Sequence, residues 1–87
     1  MASQTGPRAK SPLSSRRTSL GLTQAQVAAR SGLSPSMISR IEKGDRPRVL
    51  VDTLQKIAIG YQVSLEKAQV LLEATVRAAV ARAEKKS

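Results

Sequence analysis

The stretch from Gly21 to Gly44, GLTQAQVAARSGLSPSMISRIEKG, constrains this chain more than any other part, because it marks the boundaries of two short helices in succession. Thr23 followed three residues later by Gln26 is a capping box, so a helix opens at Gln24 and runs to about Ser31. Gly32 can take the left-handed turn conformation at little cost. Ser34 is then a second cap, Pro35 suits the first helical position, and Gly44 provides the stop, which predicts a helix over Pro35 to Lys43. Val27, Ala28, Leu33, Ile38 and Ile41 fall on faces that meet if the two helices cross steeply, with Ala28 small enough to lie at the crossing. The outward positions of the second helix carry Ser34, Pro35, Ser36, Ser39, Arg40 and Lys43. A helix that only filled a core would be expected to carry longer side chains outside, so this face is shaped for something that approaches closely.

Length and charge narrow what that something is. Eighty-seven residues allow one small domain with one modest core. Fifteen Lys and Arg against six Asp and Glu give a net charge of +9, with no histidine to make it depend on mild acidity. Such a balance points to polyanionic partners. Nucleic acid leads over anionic membrane, since no apolar run approaches the roughly 20 residues of a span, and no signal-peptide pattern is present. Without cysteine or histidine there is no disulfide, no thiolate metal site and no imidazole for acid–base work. The core must rest on aliphatic packing, and Tyr61 as the only aromatic disfavours stacking of single-stranded bases.

Outside the central stretch, residues 1–10 lack apolar periodicity and carry Gly6, Pro7, Arg8 and Lys10, the composition of a disordered basic arm. Ser11 and Pro12 form a cap and first helical residue, so a helix is expected from Pro12 to about Leu20, stopped by Gly21. The segment SLEKAQVLLEATVRAAVARAEKKS has no glycine or proline and a cap at Ser64. It predicts one helix from Leu65 to about Lys85, roughly 30 Å at 1.5 Å per residue. Leu65, Ala68, Leu72, Val76, Ala79 and Ala83 make an apolar stripe along it, with Leu71 and Val80 beside it. Its first turns can pack on the domain, whereas the last three are expected to outrun a small core.

From about Leu13 to Glu66 the chain resembles the lambda-repressor and Cro-like, or Xre, family of helix-turn-helix regulators from phage and bacteria. GLTQAQVAARSGLS, SRIEKG and DTLQKIAIGYQVSLEK match the family's segments in order and nearly in spacing, which is far more specific than one isolated motif. The resemblance implies an all-α fold: a five-helix lambda-repressor-like DNA-binding domain over residues 11–66, with residues 65–87 extending it as a long C-terminal helix. It also implies a structural ion pair between Arg17 and Glu42, bracing helices 1 and 3. Three departures stand out. Arg16 replaces a usually apolar residue, which predicts weaker packing of helix 1. Gln62 stands where the family commonly has glycine, which predicts a non-glycine residue at positive φ. The linker from Asp45 to Val51 is spaced differently.

Position in the motif assigns the site. In a helix-turn-helix the second helix enters the major groove with its N-terminal residues at the base edges. Pro35, Ser36, Ser39, Arg40 and Lys43 are therefore the candidate base contacts, with Arg40 foremost because its planar fork matches guanine O6 and N7. Pro35 can offer only apolar contact, for example to a thymine methyl. Thr23, Gln24, Ser34, Arg46 and Arg48 are the candidate phosphate contacts, which position a protein without specifying sequence. Gln24 resembles the family glutamine that lies against a phosphate, the arginines of RPRVL resemble a family element near the phosphate backbone and minor groove, and Arg16 is a further backbone candidate.

Three functions compete on these grounds. The first is a cytoplasmic, dimeric, sequence-specific regulator of double-stranded DNA, a repressor or autoregulator of phage, plasmid or restriction-controller type on a palindromic operator. The second is an antitoxin of the same fold whose C-terminal helix holds a toxin while the dimer represses the operon. The third is a basic amphipathic helix acting at a membrane. No cofactor or metal is implied, and no nucleophile and base pair supports an enzyme. For the dimer, Leu72, Val76, Ala79 and Ala83 are the expected interface, reinforced by Val49 and Leu50 of the linker.

Overall fold

A computed structural model describes residues 11–86, and the predicted basic arm lies outside them. Five helices make up the regular structure of those residues: α1 (Pro12–Ser19), α2 (Gln24–Ser31), α3 (Pro35–Lys43), α4 (Val51–Tyr61) and α5 (Leu65–Lys86). The chain is accordingly all-α, with the five-helix lambda-repressor-like architecture.

The cap residues set these boundaries. Ser11 Oγ accepts from the Ser14 amide at 3.1 Å, Ser34 Oγ from the Met37 amide at 3.1 Å, and Ser64 Oγ from the Lys67 amide at 3.1 Å. Thr23 and Gln26 form the reciprocal box, with the Thr23 amide on Gln26 Oε1 at 2.8 Å and the Gln26 amide on Thr23 Oγ1 at 3.1 Å. α2 ends at Gly32 with φ 81°.

Leu13, Val27, Ile38, Ile41, Ile57, Tyr61 and Ala68 are fully buried, so every helix contributes to one core. Gly60, inside α4, marks a close approach: a Cβ there would stand 2.8 Å from Ser31 Cβ and 3.1 Å from Val27 Cγ1. α2 and α4 pack against each other at that point because α4 carries no side chain in the way.

α4 ends on Gln62, held at φ 55°, ψ 50°, a left-handed geometry that costs a non-glycine residue about 1 kcal/mol or more. Arg16 answers it. Its Nε donates to the Tyr61 carbonyl at 3.0 Å and its Nη2 to the Gln62 carbonyl at 2.9 Å. A guanidinium at the carbonyl end of a helix supplies otherwise missing donors and complements the helix dipole. Arg16 therefore ties α1 to α4, with its guanidinium directed at protein carbonyls, while Leu13 is the buried residue that α1 brings to the core.

α5 also departs from expectation. At about 1.5 Å per residue its 22 residues span about 33 Å, matching the 34 Å longest dimension of the molecule. α5 packs on α4, α1 and α3 as far as Ala79, farther than expected, and its last turns outrun the core, with Val80 to Glu84 exposed. Leu72 is 5% exposed and Thr75 is fully buried, while Val76 and Ala79 are half-buried. Thr75 Oγ1 accepts from the Leu13 amide at 3.3 Å and donates to the Leu71 carbonyl at 2.8 Å, capping an α1 amide from 62 residues away. Leu72, Val76 and Ala79 thus serve this chain's own packing, while Leu65 and Ala83 at the two ends of the expected stripe, and Val80 beside it, are exposed.

A candidate nucleic-acid interface on the third helix

The geometry of α3 follows from one buried carboxylate. Glu42 lies on the inner face with Ile38 and Ile41, its side chain only 5% exposed. An isolated charge there would be very unfavourable, and it persists because donors surround it. Arg17 of α1 binds it in a fork, Nε to Oε2 at 2.7 Å and Nη2 to Oε1 at 3.2 Å. The Gln24 amide of α2 donates to Oε1 at 3.0 Å, and the Tyr61 hydroxyl of α4 to Oε2 at 2.7 Å. Arg17 Nη1 also donates to the Leu22 carbonyl at 3.0 Å. Four helices therefore meet at one carboxylate, and α3 is held from behind by α1, α2 and α4.

The two protonic partners respond accordingly. Burial, reinforced by the hydrogen bond to Glu42, pushes the Tyr61 phenol far above its ordinary value of 10.0. The hydrogen bond to Glu42 raises the Arg17 guanidinium against the opposing effect of burial. A folded-state pKa above the unfolded one means that Tyr61 contributes its full stability below pH 10 and loses it as pH rises further, by up to about 1.4 kcal/mol per pH unit. The melting temperature of wild type should accordingly fall more steeply above pH 10 than that of Tyr61→Phe. Parallel alkaline limbs in the two thermal-melt series would contradict this account of Tyr61.

With its inner face locked, α3 presents the opposite face to solvent. Pro35, Ser36, Arg40 and Lys43 are exposed and Ser39 is half-buried. Ser36, Arg40 and Lys43 stand at i, i+4 and i+7, one above another on that face. Arg40 and Lys43 form no ion pair and no side-chain hydrogen bond among the described residues. Ser34 is exposed, but its hydroxyl is engaged in capping.

The candidate phosphate contacts are placed unequally. Thr23 is exposed, with its hydroxyl and amide both in the capping box. Gln24 has one amide hydrogen on Glu42, which leaves its second available. Arg46 is half-buried with Nη2 3.5 Å from Met37 Sδ, against the side of α3. Arg48 is exposed. The convergence of Gln24 and Tyr61 on Glu42 was not foreseen. The spacing of Arg17 and Glu42 gave no means of finding the other two donors, although an apolar face closed by one glutamate called for more than one.

Among the described residues no helix is long and apolar enough to cross a membrane. A match to a family model described as Helix-turn-helix covers residues 13–67, well over half of the chain. No curated protein and no solved structure matches it. The matched span holds the capped α2–turn–α3 unit, the carboxylate that fixes α3 and the free outer face, and on that ground the chain belongs to the lambda-repressor-like, or Xre, helix-turn-helix family of DNA-binding regulators.

Proposed function

We propose that this protein is a dimeric transcriptional regulator, a repressor or autoregulator, which reads a palindromic site in double-stranded DNA through the major groove. The observation that carries the reading is the outer face of α3: small residues at its start, two unengaged cations farther along, and a rigid mount behind. Small side chains permit close approach to base edges, and Arg40 can donate two hydrogen bonds to a guanine. A single reading helix covers few base pairs, so two copies on half-sites about 34 Å apart supply the affinity and demand two-fold symmetric DNA. The excess of positive charge supplies the sequence-independent part of binding and makes it sensitive to salt.

The packing of α5 favours this reading over that of an antitoxin, because the stripe that would hold a toxin is largely used within the chain. Selection of bound duplexes from a random library, followed by footprinting, tests the proposal: it requires a preferred motif with two inverted halves, and binding without sequence preference overturns it. On the selected site Arg40→Ala should lose about 1–3 kcal/mol and relax preference at one base pair in each half. Titration against a panel of single-base variants measures both effects. Unchanged affinity and selectivity would remove Arg40 from the reading face.

A further inference from the structure

The start of α4 breaks two local rules together. Its N-cap is Leu50, which offers the first amides no side-chain acceptor, where Ser, Thr, Asp or Asn would stabilise the helix by about 1 kcal/mol. Leu50 is also 76% exposed, and Val51 beside it 64%. An apolar residue that neither caps its helix nor joins its core gains nothing within the monomer, and such conflicts collect at functional surfaces. Adjacent to it lies a groove of about 340 Å³ with apolar walls from Val49, Val51, Leu54 and Leu72. Arg48 and Glu73, both exposed, line the same groove. They carry opposite charges yet form no ion pair with each other or with any described residue. Gln69 Nε2, 3.4 Å from Glu73 Oε2, is the neighbour that Glu73 engages.

We propose that this face pairs with a second copy of the chain, Leu50 of each protomer entering the groove of the other while Arg48 of each meets the other's Glu73. The inference rests on the dimeric reading above and names its surface. A two-fold interface must be self-complementary, each feature finding its counterpart on an identical surface. A projecting leucine beside an apolar groove meets that condition, and so do one cation and one anion left open on the same groove. The face begins directly after the turn that ends α3, so pairing here would fix the separation of the two reading helices through a short, proline-containing linker.

Sedimentation of the full chain without DNA tests this, so that a contact of Arg48 with phosphate cannot enter the readout. Wild type is expected to sediment as a dimer and Leu50→Glu as a folded monomer, since Leu50 supports nothing in its own core. Arg48→Glu places two glutamates face to face at each pair, and Glu73→Arg places two arginines so; each alone should weaken association by tenfold or more. Mixed together they should form a heterodimer, because each pair then again joins an arginine to a glutamate. If wild type is dimeric while Leu50→Glu stays dimeric, or if the mixture fails to associate, the surface is wrong and the dimeric reading stands. If wild type is a monomer in solution and binds the selected site as one copy, the dimeric reading falls and this surface with it.

Discussion

Removal of the chain from Leu71 onward is expected to abolish cooperative folding, although the deleted part begins beyond the end of the family match. Leu72 and Thr75 are lost from the core, and half-buried Leu71, Val76 and Ala79 go with them. Loss of one buried leucine side chain typically costs 2–5 kcal/mol, and a chain of this size holds about 4–13 kcal/mol in total. The Leu13 amide also loses its acceptor, and α1 and α3 lose their packing against α5. Circular dichroism on heating should show a broad, non-cooperative loss of helix, whereas a chain ending after Arg82 should melt close to wild type because Ala83 and Glu84 are exposed. A sharp transition in the chain cut before Leu71 would show that α5 is an appendage and return its stripe to the service of a partner.

The second large effect is expected at the buried carboxylate. Arg17→Met removes the fork and leaves Glu42 with Gln24 and Tyr61 alone, a charge only partly compensated in the core. Breaking a buried pair from one side costs about 3–5 kcal/mol, with the lower end apt here because the Arg17 side chain is 18% exposed. At about 4–8 °C per kcal/mol for a domain of this size, the melting temperature should fall by at least about 12 °C. Affinity for DNA should fall as well, since α3 loses its tie to α1, while the order of preferred bases stays the same. Thermal melts and selection on the variant report the two separately. A melting temperature within about 2 °C of wild type would reduce Arg17 to a surface charge.

Caps account for what could be read from the chain alone. Thr23 with Gln26, Ser34 with Pro35, and the glycines at 32 and 44 are local signals, and α2 and α3 run between them as expected. Gln62 stands at positive φ as the family resemblance implies, since it occupies the position after helix 4 where the family commonly has glycine. The assignment of α5 was harder, because a stripe shows that a face will be covered but not by which molecule. Thr75, a polar residue three positions after Leu72, interrupts that stripe and is the available sign that this part of α5 meets α1. Arg16 finds its acceptors on carbonyls 45 and 46 positions away, and Gln24 places one amide hydrogen on Glu42, 18 positions away, so neither contact shows in the local pattern of the chain.

Gly44 stands where α3 ends at φ 83°, and a Cβ placed there would lie 2.7 Å from Ala79 Cβ and 3.0 Å from the Thr75 carbonyl. The end of α3, the helix proposed to read DNA, therefore rests almost directly on the backbone of α5, with only an alanine between them. That makes residue 79 a shim. A larger side chain at this position would tilt α3 without touching any residue that faces solvent, so mutational drift in the last helix could change the angle at which the reading face is offered while leaving its chemistry intact. Two descendants of this chain with identical third helices could then diverge in the DNA they prefer, and a comparison confined to the recognition residues would miss the cause.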